Sequence, residues 1–237
     1  MTSPGDSRPD VAVVLVAAGA GVRAGPGEPK QFRPILGVPM LLRALRPFLS
    51  HPQVDHVVVT LPAGHAEHPP DWLAKLMGGD RLRLVAGGPA RSDSVRAGLG
   101  ALGRDVAIVL VHDAARPFVT RETIDGVIER ARAGVGAIAA IPVGDTIKDV
   151  DQERITRTVS RERLWRAQTP QGFPRTMIER AYTALANGDA APPPTDDAEL
   201  CERAGLPVEV VADSPYNFKV TTADDFRIAE ALARELR

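Results

Sequence analysis

The chain has 237 residues with 29 basic and 30 acidic side chains, and its formal net charge of -1 gives no general attraction for nucleic acid or an anionic membrane. At 44% hydrophobic and 25% charged residues it has the composition of a compact globular protein, not of a disordered chain. A single cysteine, Cys201, leaves no internal disulfide framework and no thiolate metal cluster, and it fits a reducing, cytoplasmic setting.

Residues 1–10 are polar, carry acids and read as a flexible tail, unlike a secretory signal peptide. No apolar run approaches the roughly 18 residues of a membrane span. From there strands alternate with helices. Residues 11–16 read as a strand and 39–49 as a helix, then 57–61 as strand and 70–77 as helix. The pattern continues with strand 82–86, helix 92–102, strand 107–111, helix 120–133 and strand 137–141. Helices follow at 175–186 and 196–204, then strand 208–212 and a last helix over 222–236, with Thr222 and Asp225 spaced as a capping box. The strands are near-continuous apolar runs without in/out alternation, as strands covered on both faces are. Interleaved strands and helices predict an α/β fold: a Rossmann-like three-layer sandwich with a mainly parallel central sheet. The prolines at 192–194 mark a loop, and residues 1–237 read as one domain.

Residues 142–168 depart from this rhythm. The stretch carries Lys148, Arg154, Arg157, Arg161, Arg163 and Arg166, with strands expected over 146–150 and 154–159 and a turn at 151–153. It reads either as a solvated excursion or as a protruding β-arm packed on a second subunit. A bare two-stranded hairpin is marginal in water, which favours a partner and a homodimer.

The first strand runs into Ala17-Ala18-Gly19-Ala20-Gly21-Val22-Arg23-Ala24. Its glycines permit a sharp turn and close approach to a ligand at the carboxyl edge of the sheet. The spacing formally matches a dinucleotide fingerprint. However, Pro26, Pro29 and Pro34 interrupt the helix that motif needs, and 59–62 (Val-Thr-Leu-Pro) offers no acid for a ribose. What remains is a long glycine loop with Arg23 and Lys30. It suits a triphosphate, which takes main-chain N–H donors and fixed cations, better than it suits the alternative of a surface loop with two solvated bases.

Ala17 through Arg23, followed by Pro29-Lys30-Gln31, resembles the signature of the sugar nucleotidyltransferases. Within them the chain is most similar to the 2-C-methyl-D-erythritol 4-phosphate cytidylyltransferases, over about residues 11–232. The resemblance implies transfer of CMP from CTP to 2-C-methyl-D-erythritol 4-phosphate, with Mg2+ on the phosphates and no protein metal cage. It also implies that Ala17, Ala18, Gly19, Gly21, Gly88 and Ser94 form the nucleotide site, and that Arg23, Lys30 and Lys219 carry catalysis.

Downstream, His112-Asp113-Ala114-Ala115-Arg116-Pro117 closes a strand. As local spacing it reads as a surface ion pair or as an acid and a base placed to hold a polyol phosphate. His112 alone reads as structural. Gly87-Gly88-Pro89 with Ser94 reads as a turn and helix cap, or as a loop whose main chain reads a base. Many relatives carry an acid where this chain has Pro89, which removes a side chain and an N–H donor. The resemblance assigns Asp113, Arg116, Thr146, Arg161 and Thr169 to the acceptor, with Thr146 and Arg161 reaching a neighbouring subunit's pocket. Asp196 and Asp197 match a further signature, or cap a helix.

A cytidylyltransferase for ribitol 5-phosphate shares the glycine loop and the 112–118 motif. Residues 145–148 (Asp-Thr-Ile-Lys) and 158–161 (Thr-Val-Ser-Arg) point to the erythritol enzyme instead. A non-catalytic nucleotide-binding module is the alternative from another class. It fits less well, because every charged position expected for transfer is present.

Overall fold

A computed structural model of the chain describes residues 9–19, 29–187 and 192–236. Strand β1 (Val11–Val16) is followed by a two-strand turn of β2 (Pro34–Ile35) and β3 (Val38–Pro39), then by α1 (Met40–Leu49). Strand β4 (Val54–Leu61) leads through the short α2 (Ala63–Glu67) and α3 (Asp71–Ala74) into β5 (Leu82–Ala86). Next come α4 (Arg91–Gly100), β6 (Ile108–Asp113), α5 (Arg121–Arg132) and β7 (Gly136–Pro142). A separate hairpin of β8 (Ile147–Asp151) and β9 (Arg154–Val159) precedes β10 (Trp165–Pro174). The chain ends with α6 (Arg175–Asn187), α7 (Asp197–Arg203), β11 (Val208–Ala212) and α8 (Ala223–Glu235).

Seven strands make one sheet in the order β11-β7-β10-β6-β1-β4-β5. Neighbours are parallel except around β10, which runs antiparallel to both β6 and β7. The expected α/β layers are therefore present, and the composition of β1 explains them. Val11, Val13 and Leu15 pack against Leu41, Leu45 and Phe48 of α1 and Ile124 and Ile128 of α5. Ala12 and Val14 point to the opposite layer, with Val95 and Leu99 of α4 and Ile178 of α6. Helices on both faces leave no solvent side, so alternation disappears from the sequence. The edge strands β5 and β11 are the exceptions: both are partly exposed, although their runs read like the central ones.

Strand β10 is absent from the sequence expectation. Its sequence contains Gln168, Pro170, Gln171 and Pro174, and each buried glutamine finds polar partners that spacing cannot show. The residue-70 helix also divides into α3 and a 3-10 turn over Lys75–Met77. The projecting hairpin is shorter than 142–168, because Trp165, Arg166 and Ala167 already pair with β7. Its two-residue turn places Gln152 and Glu153 in the left-handed region, at φ 42° and 67°. The tail expected to reach residue 10 is anchored there. Asp10 accepts from the Ala107 and Ile108 amides through its carbonyl and pairs with Arg132 through its carboxylate; residues 1–8 lie outside the described residues. Among the described residues no helix is long and apolar enough to cross a membrane.

Candidate active site

The chain leaves β1 toward β4 and β5 on one side, then returns to β6 on the other. The crevice outside the carboxyl ends of the strands at such a reversal is where open parallel sheets hold ligands. A cavity of about 610 Å3 opens there. Its walls come from Ala17, Ala18 and Gly19 after β1, Gly88 and Pro89 after β5, Asp113 at the end of β6, and Lys30 and Lys219 from distant segments.

The two loops fit because their residues are small. A Cβ on Gly87 would lie 2.3 Å from the Ala18 Cβ and 2.7 Å from the Ser94 Oγ, and one on Gly88 would lie 2.3 Å from the Asp93 Cβ. The Ser94 hydroxyl braces this loop: it accepts from the Gly88 amide at 3.2 Å and donates to the Ala90 carbonyl at 3.2 Å. Ser94, expected beside a base, is here a lining residue of the cavity that braces this loop. The buried Gln31 side chain donates to the Ala17 carbonyl at 2.9 Å and fixes the first loop from below. Gly21 and Arg23 lie outside the described residues.

Cations from opposite ends of the chain meet in this cavity. The Lys30 ammonium donates to the Val220 carbonyl at 3.2 Å, 190 residues away, beside Lys219. Lys219 in turn pairs with the Asp113 Oδ2 at 2.7 Å. The other Asp113 oxygen faces Arg91 Nε at 3.2 Å. Burial alone would raise the Asp113 carboxyl, but the charges of Arg91 and Lys219 outweigh it and hold the group well below the usual carboxylate range.

Sequence reasoning missed Arg91. It lines the cavity and its Nη1 also binds Asp197 at 2.8 Å. Asp197 has a fully buried side chain and accepts from the Tyr182 hydroxyl at 2.7 Å. Desolvation works against the Arg91 charge, yet the two carboxylates outweigh it and raise its pKa. Burial, followed by the nearby Asp197 charge, pushes the Tyr182 phenol up as well. Asp196, beside Asp197, caps α7 by accepting from the Glu199 amide at 2.8 Å. Of the two acids, one caps the helix and the other enters the ionic chain.

Four expected acceptor residues stand behind or away from the cavity. Thr169 is buried and its Oγ1 accepts from the Asp113 amide at 3.1 Å. His112 Nε2 faces the Arg116 carbonyl, which only accepts, so Nε2 carries the proton and Nδ1 accepts from Thr169. Burial pushes the His112 imidazole down to about 4, so it is a neutral structural ring at neutral pH. Arg116 donates to the Asn217 carbonyl at 2.8 Å and approaches the Ala167 carbonyl; burial lowers its pKa. It ties the Lys219 segment to the sheet. Asn217 completes this junction by donating to the Thr169 carbonyl and to Asp213. Thr146 is exposed at the base of the hairpin, and Arg161 donates to the Gly144 carbonyl; neither lines the cavity.

Among the described residues no cluster of three or more His, Cys, Asp or Glu side chains is placed to hold a metal ion. A small-residue crevice at the switch point of a parallel sheet, with lysines and an arginine converging on it, defines an α/β enzyme that handles phosphorylated nucleotides. The chain belongs to the 2-C-methyl-D-erythritol 4-phosphate cytidylyltransferase family, whose model matches residues 11–235. It is 40% identical over 230 residues to the cytidylyltransferase of that name from Syntrophus aciditrophicus, covering 96% of this chain and 97% of the relative. It is 42% identical over 227 residues to that of Symbiobacterium thermophilum, covering 95% and 93%. The crystal structure of the enzyme from Thermus thermophilus superposes with a TM-score of 0.77 at 35% identity, covering 93% of this chain and 98% of that one.

Proposed function

We propose that this chain transfers CMP from CTP to 2-C-methyl-D-erythritol 4-phosphate and releases pyrophosphate. The observation that carries this reading is that Lys30 and the Asp113-paired Lys219 line one crevice bordered by Ala17, Ala18, Gly19 and Gly88.

A phosphate monoester has a second pKa near 6, so the acceptor arrives mainly as a dianion at neutral pH. One of its oxygens attacks the α-phosphorus, and the bond from that phosphorus to the β-phosphate bridging oxygen breaks. No base has to remove a proton. The barrier is the repulsion between an anion and a triphosphate, so catalysis is neutralisation and alignment. Lys30 and Arg23 hold the triphosphate and take up charge at the α-phosphate and leaving group. Lys219 steadies the acceptor phosphate against the α-phosphate, and Asp113 orients the acceptor hydroxyls. Gly88 offers its carbonyl to the cytosine amino group, a contact that Pro89 leaves intact. Arg116 and Thr169 hold the acceptor wall through their contacts with the Asn217 segment and with Asp113. Among the described residues the carboxylate that lines the cavity is Asp113, with both oxygens engaged by cations; Mg2+ would enter with the nucleotide substrate and offset charge on its phosphates.

The active form in this reading is a homodimer joined through the β8–β9 hairpin. Its support is an apolar cross-strand pair, Val150 and Ile155, exposed at 53% and 64% on a hairpin separate from the main sheet. Thr146 and Arg161 then serve the neighbour's acceptor. The buried Cys201, whose thiol burial pushes up to about 12, suits a cytoplasmic protein that forms no disulfide. Neither a nucleic acid nor a membrane is a partner. The test is pyrophosphate release with Mg2+ and CTP over two acceptors. Release with methylerythritol phosphate and none with ribitol 5-phosphate supports the reading; CTP binding without release from either overturns it.

A further inference from the structure

We infer that Arg91 is a positioning residue for the acceptor half of the reaction: clamped by Asp197, it fixes the Asp113 carboxylate, which in turn holds the Lys219 ammonium at the cavity. This rests on the transfer reaction proposed above.

The contacts form one line from the protein interior to the crevice. Tyr182 on α6 donates to one Asp197 oxygen at 2.7 Å, and the other faces Arg91 Nη1 at 2.8 Å. Arg91 Nε then meets Asp113 at 3.2 Å, and Asp113 meets Lys219 at 2.7 Å. Only the last three residues of this line reach the cavity. Asp197 and Tyr182 act from behind it. A carboxylate flanked by two cations has its rotation fixed by both, and loss of either lets it swing onto the other. The planar fork of an arginine serves two carboxylates at set angles, which a lysine ammonium cannot reproduce. A merely structural role, clamping α4 to α7, would weaken the fold and affect both substrates alike.

The test is a double-mutant cycle on Arg91→Lys and Asp113→Asn, with separate KM values for CTP and for methylerythritol phosphate and a melting temperature for each variant. If Arg91 acts through Asp113, Arg91→Lys lowers kcat/KM for the acceptor by roughly tenfold or more and leaves the KM for CTP within about twofold. The double variant then falls no further than Asp113→Asn alone. Multiplicative losses, or equal rises in both KM values, overturn the inference. Tyr182→Phe, which removes one hydroxyl from the far end, is the second variant. It raises the acceptor KM severalfold with the CTP KM unchanged if the line is real; an unchanged acceptor KM in a folded Tyr182→Phe counts against it. Wild-type protein is assayed first, so failure of the transfer reading shows as no pyrophosphate release before any variant is compared.

Discussion

The cleft wall and the hairpin use similar charged residues in opposite ways. In the wall, Asp113, Arg91 and Asp197 are drawn together by packed helices and strands, and each charge meets its opposite within one chain. In the hairpin, Arg157 pairs with Asp149 in the open and Lys148 donates to Thr158, while apolar Val150 and Ile155 face solvent. A buried, paired charge holds its position without a ligand, whereas an exposed pair is worth about 1 kcal/mol or less and fixes little. The charges of the cleft wall are thus set by contacts within the chain itself, whereas the hairpin leaves an apolar pair exposed, which under the proposed dimer needs a partner surface to lie on.

The sharpest way to break this contrast is in the wall. Lys30→Ala lowers turnover at saturating CTP by roughly 100- to 1,000-fold with the melting temperature nearly unchanged, since it removes a donor held at the cavity. The same loss of turnover is expected of Arg23→Ala from the role the family resemblance gives it. Near-normal turnover in both would remove the nucleotide assignment.

Acid probes the same wall through His112. Its folded pKa, about 4, lies below the ordinary 6.5, so the unfolded chain binds the proton more readily. Stability is full above about pH 6.5 and declines as pH falls toward 4, by about 3 kcal/mol at 1.36 kcal/mol per pKa unit. Denaturant titrations at pH 7, 5.5 and 4 measure this; a flat profile would show that the ring is not held neutral.

In the hairpin, Ile155→Asp places a charge in the proposed contact. Dimers dissociate in sedimentation, and kcat/KM for the acceptor drops by about tenfold while CTP binding persists. An active monomer would erase the division between the two regions. The smallest effect belongs to the turn, where Glu153 stands at φ 67°. Glu153→Gly relieves a conformation that costs an ordinary residue about 1 kcal/mol, and a slight rise in thermal stability is the expected result.

The strands of the main sheet other than β10, and most helices, were legible because apolar runs and caps are local signals: β1, β5 and β11 begin and end as their runs do, and Thr222 caps α8 with Asp225. Lys30, Gly88 and Ser94 carry a local reading as loop residues suited to a nucleotide, whereas Lys219 is singled out by the family motif alone; nothing in their spacing says that they meet. Arg91 stayed hidden because its partners stand 22 and 106 residues away. The resemblance gives Thr169 and Arg116 to the acceptor; what it does not show is that their side chains also bind Asp113, His112 and main-chain carbonyls. Strand β10 was missed because its buried glutamines and prolines look like a connection until their distant partners, the Asn217 carbonyl and Asp196, are seen.

The sequence by itself determined a layered α/β chain with a glycine-bordered loop at the carboxyl edge of its first strand, because periodicity and turn chemistry act between near neighbours. Only the tertiary structure decided which cations share a cavity, which of them, Arg91 and Lys219, flank a carboxylate and which hydroxyls are already used. Those outcomes depend on the exclusion of water around groups far apart in the chain, where a charge must find its opposite or stay outside.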